Sequence, residues 1–426
     1  MLSRLKKILI LAGVYLTYFP LLVCTFIVVF LDRKSGLPLS FPRDVKKLSG
    51  RKEWCIHVLK KAGAIPQGAV VNDFIVIPLK QEIIFRSNAA RIEITYREGD
   101  QTQTLTCFAK FAPTVGSTWN RTIFTIQLNH IKEIFFNRYF VNQDNLPAPK
   151  VYYADMSAIT GNLCLITEYM AGCTEFLEGH YSGFTDVHLH MVMHHLASLH
   201  SRYWHDRSAR MRKILPIHAT TVDLFESFVS LSWSRYARKI VVQSWNYCNQ
   251  QETVIHGDAR IGNMLFPGEN GEGRFVFIDW QAVRKGKAAF DVAYFIVLSL
   301  DSTYRQSIEI AALDYYHQQL IACGVTNYDR QQLEEDYKHA CLCLLVLLSL
   351  PMLSGEASVE GDSALIFAYG LNIWRERLQQ KFSSFDYAWL ADRYGMTQAQ
   401  GQGAVAEMLG VMEKRIRLLQ TGKYTS

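Results

Sequence analysis

Several common functional signatures are missing from this chain. Its 426 residues contain no low-complexity tract and no internal repeat, so neither a disordered chain nor a stacked solenoid fits. Nine cysteines stand singly, with no CxxC pair among them. That spacing offers neither a zinc site nor a disulfide framework, and it reads as reduced, buried thiols. His188, His190, His194, His195 and His200 crowd together, yet no Glu falls where an HExxH metal motif needs it. These histidines read as satisfied or surface residues. The net charge of +6 lacks the dense basic footprint of a nucleic-acid binder; it suits a membrane surface or an anionic nucleotide. The composition is that of a globular protein, and the length implies two domains or one bilobal domain.

The first local signal is at the N-terminus. Ile8 to Leu31 contains no charged residue, and about 20 apolar residues span a bilayer as a helix. The run is longer than a signal-peptide core and ends in Phe30-Leu31-Asp32-Arg33-Lys34, without a small-residue cleavage pattern. An uncleaved anchor over residues 1–34 is expected. Arg33, Lys34, Arg43, Lys46, Lys47, Arg51 and Lys52 outnumber Arg4, Lys6 and Lys7, which places the body on the cytosolic side. The glycosylation sequon Asn120-Arg121-Thr122 would then go unused. A second apolar run, Ala340 to Gly355, is shorter and broken by Pro351, and it reads as a buried core helix.

Residues 35–53 read as a polar linker containing Pro and Gly. Trp54 to Ala62 has the look of a short helix. Phe74–Ile77 and Leu105–Phe111 read as strands, and Arg91 to Tyr96 alternates apolar and polar residues with the period of a half-buried strand. Gln127 to Phe140 carries Leu128, Ile131, Phe135 and Tyr139 at helical spacing. Strands follow at 151–154 and 163–169. Beyond residue 177 the pattern turns helical, interrupted by one hairpin: Met264–Phe266, a Gly- and Pro-rich turn from Pro267 to Gly273, and Phe275–Ile278. The expected organisation is a β-rich part over 54–170 and a larger helical part over 171–426.

The chemistry concentrates in His256-Gly257-Asp258-Ala259-Arg260-Ile261-Gly262-Asn263 and, after the hairpin, Ile278-Asp279-Trp280-Gln281. Phosphoryl transfer asks little covalent help of a protein; it needs a positioned acceptor hydroxyl and magnesium held across the β- and γ-phosphates. A carboxylate five residues before an Asn, on a loop entering a strand, places a base and an amide metal ligand together. The hairpin returns a second carboxylate, Asp279. Upstream, such a site requires a lysine on a strand and a glutamate to hold it. Lys110 lies inside the apolar strand Cys107-Phe108-Ala109-Lys110-Phe111, where an unpaired ammonium is costly. Between Phe111 and Thr167 the only glutamate is Glu133, on the expected helix.

These segments resemble the aminoglycoside/choline-kinase superfamily, and within it the ecdysteroid kinase-like (CHK kinase-like) branch and its bacterial relatives. The resemblance rests on residues 256–266 and 278–281, on Gly286 and Asp291-Val292-Ala293-Tyr294-Phe295, and on the stretch from Leu196 to Trp204. A looser likeness in Leu165–Met170 matches the interlobe hinge. The resemblance implies an α+β, bilobal protein-kinase-like fold with a small β-rich N-lobe and a larger helical C-lobe. It implies Asp258 as catalytic base, Asn263 and Asp279 as magnesium ligands, Lys110 on the ATP phosphates with Glu133 orienting it, and adenine along the backbone of Glu168 to Met170. Asp291 would buttress the catalytic loop and His256 would support it. The phosphate-covering loop would fall at Phe85–Arg91, with Ser87 and Asn88 in place of glycines, of which it has none.

The implied reaction moves the γ-phosphate of MgATP to the hydroxyl of a small molecule, and the anchor favours a lipophilic acceptor. The absence of DFG and APE motifs argues against a protein kinase. The glycine-free loop leaves a second reading, a membrane-tethered nucleotide-binding scaffold without turnover.

Overall fold

A computed structural model of the protein describes residues 20, 23–32, 34, 38–79, 88–112, 122, 129–176, 183–214, 233–349 and 362–421. The chain divides into two compact units. One comprises residues 15–174 and 265–281; the other comprises 1–14, 175–264 and 282–426.

The first unit is built on a five-stranded antiparallel sheet in the order β1-β2-β3-β5-β4. The strands are β1 (Val70–Pro78), β2 (Asn88–Glu98), β3 (Gln101–Phe111), β4 (Val151–Met156) and β5 (Leu163–Glu168). The period of two is visible in β2, where Ile92, Ile94 and Tyr96 are buried and Arg91, Glu93 and Thr95 between them are half-buried. These side chains share a core with Cys107, Ala109 and Phe111 of β3 and Cys164 and Ile166 of β5. Helix α1 (Val45–Ser49) and helix α2 (Lys52–Lys61) cover that core through Val45, Leu48, Cys55 and Leu59. Helix α3 (Asn129–Phe136) follows the sheet's third strand and runs into one π-helical turn, Asn137–Val141. Strands β6 (Cys173–Glu175), β8 (Met264–Pro267) and β9 (Val276–Phe277) form a small sheet in the order β6-β8-β9.

The second unit is helical around a two-stranded ribbon of β7 (Thr253–Ile255) and β10 (Arg284–Gly286). Its helices are α4 (Asp186–Arg202), α5 (Arg235–Cys248), α6 (Ala289–Ala293), α7 (Ser302–Ala322), α8 (Arg330–Ser349), α9 (Asp362–Ser383), α10 (Tyr387–Tyr394) and α11 (Gln398–Thr421). In α8 every residue from His339 to Val346 is buried, so the second half of this helix is apolar all round because it is enclosed by the unit's core. It contains the described part of the second apolar run; residues 350–361, with Pro351, lie outside the described residues.

The expected linker is partly packed structure. Asp44 caps α1 by accepting a 2.7 Å bond from the Lys47 N–H, and Phe41, Val45 and Leu48 enter the sheet's core. Their spacing at i, i+4 and i+7 gives a short apolar stripe, which a polar composition masked. Among the described residues no helix is long and apolar enough to cross a membrane. The anchor expected over Ile8–Leu31 lies largely outside the described residues; residues 23–32 are helical. Asn120 and Ser87 also lie outside them.

Leu48 is fully buried, so Leu48→Ala is expected to lower the unfolding free energy by about 2–5 kcal/mol. Urea denaturation measures it, and a loss below about 0.5 kcal/mol, the range of ordinary surface changes, would mean that the segment is a loose tether after all.

Candidate active site

In the strand-rich unit, β3 brings Lys110 to the face opposite Ala109 and Phe111, because successive side chains alternate. Its Nζ lies 2.7 Å from Glu133 Oε1 and 2.8 Å from Asp279 Oδ1. The three side chains come from β3, α3 and the residues just after β9, and they are 13%, 2% and 21% exposed. Burial works against the Lys110 ammonium, but the two carboxylates overcome it and hold the lysine's pKa above its ordinary value. Burial and the neighbouring Asp279 charge push Glu133 upward against the pull of Lys110. Two carboxylates therefore share one cation. Glu133 Oε2 is buried with no hydrogen-bond partner among the described residues.

Asp279 sits at φ +63°, in the left-handed region that side chains seldom adopt. The turn that holds it is fixed from both sides. Before it, the Phe277 N–H donates 2.7 Å to the Pro147 carbonyl. After it, Trp280 is buried and its ring lies 4.5 Å from that of Phe136 on α3, the helix that carries Glu133. Gln281 Nε2 donates 3.3 Å to Asp279 Oδ2. Trp280 thus ties the two carboxylates' elements together. Sequence reasoning gave it no role, although its place in Ile278-Asp279-Trp280-Gln281 was the available signal.

Glu168 ends β5, where Arg274 grips its carboxylate with two bonds of 2.9 and 2.7 Å. Those bonds hold the Glu168 carboxyl below the usual range. Its N–H donates 2.8 Å to the Lys150 carbonyl, so this amide is already used by the sheet. Met170 follows in an irregular stretch. Asn88 opens β2 opposite Phe111.

In the helical unit, β7 delivers the loop His256–Asp258, and a single 3-10 turn, Ile261–Asn263, closes it. Gly257 has φ +81°, and a Cβ there would collide with the Ala282 carbonyl and the Arg284 guanidinium, so only glycine fits. Asn263 Nδ2 donates 2.9 Å to the Asp258 carboxylate and 2.9 Å to the Asp258 carbonyl. Arg260 Nε lies 3.6 Å from Asp258 Oδ2. The Asp258 N–H lies 3.4 Å from His256 Nδ1. Asp291, fully buried, accepts the N–H groups of His256 at 2.6 Å and Gly257 at 2.9 Å. Of the histidines, His194 bonds Gln319 at 2.8 Å and His190 packs on Tyr315.

Both cofactors can be weighed against these groups. Magnesium takes oxygen ligands and usually keeps waters and phosphate oxygens alongside one or two protein carboxylates. Among the described residues no three of His, Cys, Asp and Glu gather to hold a metal. Asn263 donates its Nδ2 inward, which leaves Oδ1 as the amide's ligand atom. The excess negative charge around Lys110, with a Glu133 oxygen that has no partner among the described residues, fits a site completed by a cation.

Removing the shared cation is expected to cost far more than removing one carboxylate. Lys110→Met should lower stability by about 3–5 kcal/mol, because it strands two charges, while Asp279→Asn should stay within about 1 kcal/mol of the native protein. Chemical denaturation compares the two; equal losses would show that Asp279 is as necessary to the cluster as the lysine.

Comparison with known proteins gives one family match over part of the chain and several distant structural likenesses. Residues 233–325 match the model of the ecdysteroid kinase-like family. No protein of curated function matches the sequence. Among solved structures the chain is similar to choline kinase LicA from Streptococcus pneumoniae, with 15% identity over 78% of this chain and 100% of that one, at a TM-score of 0.44. It is also similar to an ethanolamine kinase from Plasmodium vivax, with 12% identity over 80% and 95% of the two chains, at a TM-score of 0.47. A choline/ethanolamine kinase family protein from Mesorhizobium loti shares 11% identity over 86% and 99%, at a TM-score of 0.34. Asp258, Asn263, Asp279 and Asp291 fall inside the segment that carries the ecdysteroid kinase-like match, and Lys110, Glu133 and Glu168 fall outside it.

Proposed function

We propose that this protein is an ATP-dependent small-molecule kinase. The observation that carries the reading is the buried cluster of Lys110, Glu133 and Asp279, in which residues far apart in sequence meet at 2.7 and 2.8 Å. Burying an ammonium with two carboxylates is expensive, and such perturbed groups cluster at functional sites. In this reading Lys110 holds the ATP phosphates and Glu133 orients it. Asp279 and Asn263 are the magnesium ligands, and the metal supplies neutralisation of phosphate charge. Asp258 accepts the proton of the acceptor hydroxyl, held in place by the Asn263 amide. Ser87 and Asn88 cover the phosphates, and the backbone of Glu168 to Met170 receives the adenine. The irregular backbone at Met170 supports that placement better than Glu168, whose N–H is engaged.

The reading extends to location. The uncharged run Ile8–Leu31 forms a single membrane anchor with the body on the cytosolic side. In support, Val23, Phe26, Ile27, Phe30 and Leu31 are exposed on the helical residues 23–32, which is costly in water. The far side of that helix is occupied: Val29 is buried, and Asp32 accepts bonds from Asn162 at 2.9 Å and Arg43 at 3.3 Å. An acceptor that partitions into lipid follows from that location.

The test is ADP release by the full chain in detergent micelles, with MgATP and a panel of small hydroxylated compounds that includes lipophilic alcohols, beside Asp258→Asn. Acceptor-dependent turnover is expected, with a fall of at least 10²-fold in the variant, the lower end of a general base's contribution. MgATP binding without turnover on any acceptor, unchanged in Asp258→Asn, would favour a nucleotide-binding scaffold.

A further inference from the structure

The helical residues 23–32 have two faces, and the outer one is bare and apolar. Val23, Phe26, Ile27, Phe30 and Leu31 recur at i, i+3, i+4, i+7 and i+8 and are exposed. Thr25, Val28, Val29 and Asp32 recur at i, i+3, i+4 and i+7 on the other side; the first two are half-buried and the last two are buried. Packing therefore tightens toward Asp32. In that same last turn Phe30 and Leu31 remain 44% and 50% exposed. A helix packed on a protein in water turns a polar face outward. This one turns out two large apolar side chains from the very turn that the protein grips.

The grip is a buried carboxylate. Asp32 is almost without exposure, and such a group is tolerated only when it is paired and hydrogen-bonded. Asn162 Nδ2 donates 2.9 Å to Asp32 Oδ2, and Arg43 Nη1 donates 3.3 Å to Oδ1. Asn162 belongs to the tip between β4 and β5. There the Ser157 N–H donates 2.9 Å to the Asn162 carbonyl, and the Gly161 N–H donates 2.9 Å to the Ser157 carbonyl. Asn162 Nδ2 also donates 2.8 Å to Thr160 Oγ1. Thr160 and Asn162 are buried, yet the apex of this bonded tip is Ala158-Ile159, both exposed, with Ile159 at 67%. A tip that faces water ordinarily carries Gly, Asn, Asp or Ser at its apex.

Positive charge flanks the same apolar face. Lys34 places its ammonium 5.9 Å from the Phe30 ring centre, as a cation does when its stem lies along apolar surface and its head reaches the polar boundary of a bilayer. Lys46 and Lys47 are exposed on α1, just beyond Arg43. Such side chains attract anionic headgroups.

We propose that the Ser157–Asn162 tip is a second membrane contact, latched to the anchor helix through Asp32, with Ile159 seated between the anionic headgroups and the acyl chains of the bilayer. The membrane contact rests on the anchor reading; the latch does not. A helix turn that touches protein on one side and lipid on the other brings the gripping protein to the lipid boundary. The strand-rich unit therefore lies on the bilayer in one pose and does not swing on a tether.

The experiment places the full chain in vesicles of equal parts phosphatidylcholine and phosphatidylserine, with photo-reactive benzoylphenylalanine in place of Ile159 or, as a reference, of Val70. Val70 is 56% exposed and begins β1, at the opposite edge of the same sheet. Flotation reads the anchor, and photo-crosslinking to lipid reads the tip. Floated protein is expected to crosslink lipid from position 159 about tenfold more than from position 70, the low end for burying one large aliphatic side chain. Asp32→Ala should leave flotation intact and lower the crosslink from position 159 by about tenfold, the scale of a bond to a charged group. Asp32→Asn, which still accepts from Asn162, should keep most of it. Floated protein without a lipid crosslink from position 159, or with an equal one from position 70, overturns the tip contact and leaves the anchor standing. A crosslink from position 159 to a second copy of the chain overturns it in favour of a self-associating face. An Asp32→Ala chain that crosslinks as the native one does overturns the latch. Protein that does not float overturns the anchor reading, and the membrane contact falls with it. The latch is then decided by amide hydrogen exchange at Ser157–Asn162, which must rise in Asp32→Ala.

Discussion

The strand-rich unit is organised around a charge imbalance. Lys110 is one cation held against two carboxylates, all largely removed from water. Each neighbour makes sense as a response to it. β3 carries the lysine into the apolar sheet, α3 brings Glu133, and the turn after β9 brings Asp279. Trp280 locks that turn to α3 through Phe136. A surface pair of this kind would contribute little. Here the enclosure makes the cluster decisive, because removing the cation leaves buried charge without compensation. The same imbalance leaves the cluster with one negative charge more than its lysine neutralises.

The helical unit answers a different constraint, the placing of one carboxylate, Asp258, on a loop. Asn263 holds it from within the loop. Asp291 holds the backbone beneath it, and His200 and Tyr316 hold Asp291. The order is hierarchical: each polar group is satisfied by one further from Asp258, until the network ends in the core helices. A buried network of this kind is worth having only when complete, since a half-satisfied one costs more than an apolar core.

Much of this was legible in the sequence, for physical reasons. The alternation of Ile92, Ile94 and Tyr96 revealed β2 because one face is buried. Lys110 stood out as a charge in an apolar strand, and Glu133 as the only glutamate available to meet it. The loop and hairpin showed themselves because glycine and proline punctuate them. Other contacts left no local trace. The packing of Phe41, Val45 and Leu48 was hidden by polar neighbours. The grip of Arg274 on Glu168 joins positions 106 residues apart, and that of Tyr316 on His200 joins positions 116 apart. Spacing carries periodicity within one element; it does not carry which distant element arrives beside it.

Two left-handed residues, one in each unit, show how local backbone cost and side-chain need are reconciled. Gly257 adopts φ +81° where a Cβ has no room, and glycine takes that conformation without strain. Asp279 adopts φ +63° with a side chain attached, at a cost of order 1–3 kcal/mol. A glycine there would relieve the backbone, but it would remove the carboxylate that shares Lys110. The strain persists because the lysine bond, the Gln281 amide and the Trp280 packing hold the residue in one geometry. Strain of this kind is kept where a side chain must point in one direction, here onto the Lys110 ammonium. The loop glycine and the strained aspartate are opposite solutions to one requirement: the backbone must turn sharply, and the side chain is dispensable at one position and indispensable at the other.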